Sequence, residues 1–412
     1  MNNRIVINIF LIFILLLYGC STLPPRLHKS GLNTEFNYTH DISFTEYIQK
    51  TRLMIGKNRT DLDNADKEKI IWANSPFELI PNVNLYPKTE NKKFKKGILL
   101  IHGLTDSPYL LRPVARHLQS KGFLVRTILL PGHGTIPGDL LSVKYETWIK
   151  AVEYGMYRLR LNCEETYIGG FSTGGTLSMN YSLKNPDKIK GLILFSPAIG
   201  IKSKAACLSV YLNYFKDWLS VYDDNDYTKY ESFAINGAAQ IYKLTERNKE
   251  ILDKQDLKPN FPVFAVLSEE DKTIDSEKTI DIFNSYLKSD KNRIILYTTD
   301  PGKYKNNEDL IIAQNSYIPD QHILNFGHIS ITVPPNDPHY GRNGDYRNCL
   351  HYFKEKDTFS SCLENPDIWW GETNKKGLEY ALKNNLLIGR LAFNPHFDRM
   401  IKYMDDFLSA IE

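Results

Sequence analysis

The sequence predicts an α/β protein, a mostly parallel central sheet with helices on both faces. Two observations carry that expectation. From Gly97 onward, short continuous apolar runs alternate with segments of helical period, and a run apolar on both faces is how a buried parallel strand reads. Strands joined through helices then imply right-handed crossovers and a sheet covered on both sides.

The elements follow in chain order. Between residues 35 and 94 the pattern is weak: Phe44, Tyr47 and Ile48 suit one helix face, Asn64 to Asn74 another, and Pro76, Pro81 and Pro87 punctuate a loop. Ile98 to Ile101 reads as a strand ending at His102 and Gly103. Leu110, Leu111, Val114, Ala115 and Leu118 share a helical face that Gly122 closes. Strands are expected at Phe123 to Leu130, Thr166 to Ile168, Gly191 to Phe195, Val263 to Leu267 and Arg293 to Tyr297. Helices are expected around Trp148 to Leu161, after Ser172, and near Ser276 to Leu287. Residues 198–259 interrupt this rhythm with an aromatic-rich, helical insertion containing Tyr211, Tyr214, Phe215 and Trp218.

The composition bounds the function. At 412 residues, 42% hydrophobic and 24% charged, the chain has material for one large domain or two ordinary ones. Lys and Arg total 51 against 48 Asp and Glu, which lacks the basic excess of a nucleic-acid binder. Five cysteines with no C-x-x-C spacing argue against a disulfide-dense or zinc-rich scaffold. No H-E-x-x-H cluster or phosphate-binding glycine loop occurs, so neither a metal nor a cofactor is expected.

The N-terminus departs from the average. Ile5 to Tyr18 is apolar except for Asn8, follows Arg4 and precedes Gly19 and Cys20. That length is short for a spanning helix and suits the hydrophobic region of a signal peptide. Leu17-Tyr18-Gly19-Cys20-Ser21 resembles the bacterial lipoprotein signal, which implies cleavage after residue 19, a lipid on Cys20, and an exported protein held at a membrane and facing the periplasm or exterior. Residues 20–34 are then expected to be a tether.

The chemistry is carried by Gly170-Phe171-Ser172-Thr173-Gly174, a G-x-S-x-G between a strand pattern and a helix pattern. A serine on so tight a turn needs glycine at both flanks, because a Cβ there would clash. Serine also needs a base, itself oriented by a carboxylate. Asp271 follows the strand Val263 to Leu267 at a short turn and is the expected carboxylate, with Glu269, Glu270 and Asp275 as competitors. His328, after a short apolar stretch, is the expected base, with His322 and His339 as rivals. Backbone donors for a developing oxyanion are expected at Thr173, next after the nucleophile, and at Leu104, after the strand-end His102-Gly103. His102 itself reads as structural.

With Leu130-Pro131-Gly132-His133-Gly134 added, these landmarks make residues 95–335 resemble the α/β-hydrolase superfamily, in the branch of monoacylglycerol lipases and related carboxylesterases. The resemblance implies that Ser172 forms an acyl-enzyme, that His328 acts as base and then acid, and that residues 198–259 form a cap. It implies a small-molecule or lipid ester as substrate, without nucleic acid and without cofactor. Three features depart from the family. Ser268 stands where glycine is common, residues 299–321 are inserted before His328, and residues 336–412 extend past the usual end. That extension contains Trp369-Trp370-Gly371-Glu372 and closes with Phe397, Ile401, Met404, Phe407, Leu408 and Ile411 at helical spacing, which predicts a helix packed on the sheet. In an exported protein Cys349 and Cys362 are expected to form a bridge, and Cys163 with Cys207 is a further candidate pair. An acyltransferase using the same acyl-enzyme, or an inactive surface-binding lipoprotein, are the alternatives.

Overall fold

The apolar runs become the strands of one sheet. The computed structural model describes residues 23–412 except 60–61, 63–65, 201–203 and 255–258. The expected export signal and Cys20 fall outside these described residues. In chain order the strands are β1 (Glu78–Leu79), β2 (Phe94–Ile101), β3 (Phe123–Ile128), β4 (Cys163–Phe171) and β5 (Gly191–Phe195). After a short hairpin in the insertion, β6 (Trp218–Ser220) with β7 (Phe233–Ala234), come β8 (Val263–Ser268), β9 (Arg293–Thr298) and β10 (Ile311–Asn315). Their order is β1-β3-β2-β4-β5-β8-β9-β10, and only β1 runs antiparallel to its neighbour. This is the α/β-hydrolase architecture.

Strand alternation sorts the side chains onto two faces. Leu99, Ile101, Ile168 and Leu194 join Trp148, Leu159 and Leu177 in one buried cluster. Ile98, Leu100, Tyr167 and Ile193 join Val114, Leu118 and Phe407 in the other. At ~2 kcal/mol for each large apolar side chain buried, these two layers dominate the stabilisation of the sheet. The closing helix Phe397–Ile411 covers β8 and β9, with the rings of Phe264 and Phe407 5.6 Å apart.

Two sequence expectations need correction, and the expected insertion at 299–321 proves to hold a strand. Residues 24–33 are not a loose tether: Leu27 is buried, Ser30 and Gly31 donate to the Asp139 carboxylate, and Asn33 donates to the His133 carbonyl at 2.6 Å. Asp139 is itself fully buried, and these N-terminal donors satisfy it. Within 299–321 lies β10, paired in parallel with β9. It is a half-exposed edge strand, so it lacks the apolar run that marks the others. Cys163 and Cys207 do not bridge; Cys163 is buried at the start of β4 and Cys207 is exposed on the helix Lys204–Leu212 of the insertion.

The insertion consists of that helix, the β6–β7 hairpin and the long helix Ile235–Lys254. The extension carries a second strand pair, β11 (Trp369–Gly371) with β12 (Ile388–Arg390), and the Cys349–Cys362 disulfide, 13 residues apart in sequence. Cys362 Sγ touches the Ile388 carbonyl and Arg390 N–H donates to Asn348 O, so the bridge fastens β12. Closing a loop of this size stabilises by about 3 kcal/mol. The Cys349→Ser/Cys362→Ser variant should therefore unfold with a loss of about that size in chemical denaturation, and an unchanged midpoint would contradict the assignment.

Candidate active site

The site is built where β2 and β4 end side by side. Their register pairs Ile101 with Gly170, so His102-Gly103-Leu104 leaves β2 beside Phe171-Ser172-Thr173 leaving β4. The helix Thr173–Lys184 begins at once, and the turn is so tight that Ser172 has φ +53°. A Cβ on Gly170 would sit 2.6 Å from the Ile101 carbonyl oxygen, and one on Gly174 would collide with the same carbonyl. The flanking glycines of G-x-S-x-G are therefore a steric requirement of this strand pairing. Ser172 N–H donates to Phe195 O on β5, and the Ser172 carbonyl accepts from Ala198 N–H. The strained serine is held from both sides.

His328 Nε2 lies 3.0 Å from Ser172 Oγ, and His328 Nδ1 lies 2.7 Å from Asp271 Oδ2. Asp271 is completely buried after β8, and its other oxygen accepts from the Thr273 and Ile274 amides at 2.7 and 3.0 Å. With the proton on Nδ1 held by the carboxylate, Nε2 is the acceptor facing the serine hydroxyl. Ser172 and His328 are each 7% exposed, which leaves the hydroxyl accessible but poorly hydrated.

The competing side chains have other tasks. Glu269 accepts from Lys303 and Tyr304, Glu270 accepts from the Thr299 amide, and Asp275 caps the helix Ser276–Tyr286. His322 stacks on Trp369. His339 is buried between Asp226 and Asp345 where the insertion meets the extension, with Tyr340 also donating to Asp226. Ser268, at a position the family often gives to glycine, donates its hydroxyl to Phe326 O and ties β8 to the His328 loop.

The two amides expected to face an oxyanion, those of Leu104 and Thr173, stand on these adjacent strand ends, and Thr173 is the first residue of its helix. The Leu104 loop is braced by L-P-G-H-G. His133 Nε2 accepts the Thr105 N–H at 3.1 Å, while His102 Nε2 accepts the Leu130 N–H at 3.0 Å. Each histidine thus holds the other's loop, and Tyr230 of the insertion donates its N–H to Thr105 O. Burial pushes both imidazoles down, His102 well below its ordinary value and His133 to about 4. They are neutral acceptors at physiological pH.

Glu372 was not singled out by sequence. This fully buried carboxylate accepts the His328 backbone N–H at 3.0 Å and is held by Arg390 through two hydrogen bonds of 2.8 and 3.0 Å. Lys272, beside Asp271, stands 3.8 Å away. Burial opposes ionisation of Glu372, but the charges of Arg390 and Lys272 with these donors bring it to about 2. The only local hint was a charge directly after Trp369-Trp370-Gly371.

Two outcomes follow. Replacing Glu372 by Ala removes the carboxylate that pairs the partly buried Arg390 guanidinium, and urea denaturation should show a loss of ~2–4 kcal/mol; a loss below ~1 kcal/mol would sink the buttress. For His133, unfolded chains take up a proton near pH 6.5 while the folded chain resists until about 4. Its contribution is full above pH 6.5 and is lost as the pH falls to 4, by about 3 kcal/mol. His133→Gln should flatten the stability profile across that window, and an unaltered slope would show that His133 is not held neutral.

Residues 92–299 match the Hydrolase_4 family, described as serine aminopeptidase, S33. A thermostable monoacylglycerol lipase of Bacillus sp. (strain H-257) is 34% identical over 110 residues, 27% of this chain. The aligned stretch spans only 44% of that lipase. A carboxylesterase of Bacillus subtilis (strain 168) is 27% identical over 208 residues, 48% of this chain and 80% of the esterase. Among solved structures, a Paleococcus ferrophilus monoacylglycerol lipase aligns with a TM-score of 0.43 at 18% identity, covering 57% of this chain and 94% of the lipase. The family match takes in half of the chain, including the elbow serine, both strand ends and Asp271, and the chain belongs to the Hydrolase_4 family of α/β-hydrolases.

Proposed function

We propose that the protein is a serine hydrolase of carboxylic esters, acting on acylglycerol- or lysophospholipid-like substrates and held at a membrane through a lipid on Cys20. The observation that carries the reading is the unbroken relay from Ser172 Oγ through His328 to Asp271. In the first half-reaction the Ser172 oxygen bonds to the ester carbonyl carbon while His328 Nε2 takes its proton. Asp271 stabilises the imidazolium, and the Leu104 and Thr173 amides receive the oxyanion. Collapse breaks the bond to the alcohol, which leaves with the proton from His328. Water then repeats the sequence on the acyl-enzyme, releasing the carboxylic acid and restoring Ser172.

The family's description names a peptidase, whereas the two sequence relatives are named as ester hydrolases; the L-P-G-H-G segment, shared with the lipase branch, favours esters. The apolar stretch before Cys20 supports export. Among the described residues no helix is long and apolar enough to cross a membrane. A cleft of 410 Å³ between the helices Ile235–Lys254 and Ser276–Tyr286 is lined by Met179, Ile199 and Leu252, but by none of the relay residues, and no acyl site is assigned to it.

The test is hydrolysis of acyl esters of graded chain length by the wild type and Ser172→Ala. Ser172→Ala should lose at least ~10³-fold in kcat with KM little changed. Equal rates would end the proposal. Adding glycerol as acceptor and analysing products separates hydrolysis from acyl transfer, and dominant transesterification would reassign the second half-reaction.

A further inference from the structure

The cap carries a run of apolar side chains that the fold does not cover. Leu208, Tyr211, Leu212, Tyr214, Phe215 and Leu219 are all exposed, Tyr214 by 81% and Phe215 by 87%. They lie within twelve consecutive residues, on the end of the helix Lys204–Leu212, the turn after it and β6, with exposed Lys216 and Asp217 among them. Apolar surface concentrated in this way marks a docking site. Tyrosines and an adjacent lysine suit the boundary between lipid headgroups and acyl chains.

The course of the N-terminal segment says what docks there. Arg26 is hydrogen-bonded to the Asp224 carboxylate and the Tyr222 carbonyl, with Ser232 Oγ at 3.4 Å. Leu27 is buried and Ser30 and Gly31 are fixed on Asp139. The chain is therefore pinned to the insertion at residues that directly follow the exposed run. Cys20 stands six residues before Arg26. Six extended residues reach at most ~20 Å, so a lipid on Cys20 enters a bilayer within that distance of the Arg26–Asp224 contact.

We infer that this cap face is a bilayer-docking surface, and that the pinned N-terminal segment orients the protein so that a lipid on Cys20 brings this face against the membrane. The inference rests on the anchoring and ester-hydrolase readings proposed above. It adds an orientation: the insertion, whose Tyr230 and Gly237 pack on the Thr105 and Leu104 loop, faces the phase that holds lipid esters.

The test uses the full chain, purified from membranes and reconstituted into phosphatidylcholine–phosphatidylglycerol vesicles. A Tyr214→Ser/Phe215→Ser variant should hydrolyse a soluble butyrate ester within about twofold of wild type but a vesicle-embedded long-chain monoacylglycerol about tenfold more slowly. In a Phe215→Trp variant, lipids brominated on their chains should quench a new emission component above the background of the five native tryptophans. Unchanged vesicle hydrolysis together with an unquenched Trp at 215 would overturn the docking face, as would co-purification of a protein partner lost in the double variant while quenching is absent. Mass analysis of the Cys20 peptide reports the anchor separately. If it is unmodified the anchoring reading falls, and the orientation inference with it. If both esters are inert, the hydrolase reading falls while quenching still decides the docking face.

Discussion

The turn that carries Ser172 lies against the carbonyls of Ile101 and His102 so closely that neither Gly170 nor Gly174 could bear a Cβ. That contact fixes two strand ends together. One carries Ser172 with φ +53°, and the other leads into the loop of Leu104. Because β5 and β8 pair in sequence beyond β4, the same sheet edge also delivers Asp271. The pairing is a matter of register: shift β2 against β4 by one residue and the Leu104 loop no longer meets the elbow, while the β4-β5-β8 register sets Asp271 against Ser172.

Register does not fix the histidine. His328 lies on an irregular stretch, and its position depends on groups that come from elsewhere. Asp271 holds the ring, Ser268 holds the Phe326 carbonyl, and Glu372 holds the backbone amide of His328 itself. Asn394 donates to the Ile331 carbonyl three residues past His328 and bonds Tyr297 on β9. Residues 336–412 thus serve as a frame for the base. The buried Glu372 carboxylate has its full complement of hydrogen bonds, from Arg390 and from the His328 and Thr373 amides, the condition under which a buried charge tolerates desolvation. The Cys349–Cys362 bridge fastens the strand that carries Arg390.

How much of this could be read in advance follows from how local each feature is. Strands buried on both faces announce themselves as apolar runs, so β2, β5, β8 and β9 were legible. The edge strands β1 and β10, partly exposed, were not. Ser172 was legible because the steric demand for glycine is written into adjacent residues, and chain order together with strand ends singled out Asp271 and His328. Glu372 was not, since its partners lie 44 and 18 residues away and a carboxylate bears no mark of the amide it will accept. The docking of residues 24–33 was hidden for the same reason, because buried Asp139 is remote in sequence from Ser30. The role of L-P-G-H-G as a brace emerged only when His133 and His102 were seen to hold each other's loops.

The central claim is that Ser172 is the activated nucleophile of this relay. Its most direct measurement is covalent: exposure of the native protein to a fluorophosphonate, followed by mass mapping of the adduct. The account predicts one phosphonyl group, on Ser172, formed at a rate that falls steeply when His328 is replaced by Ala. An adduct on another residue, or a native protein that stays unlabelled while folded, would contradict it.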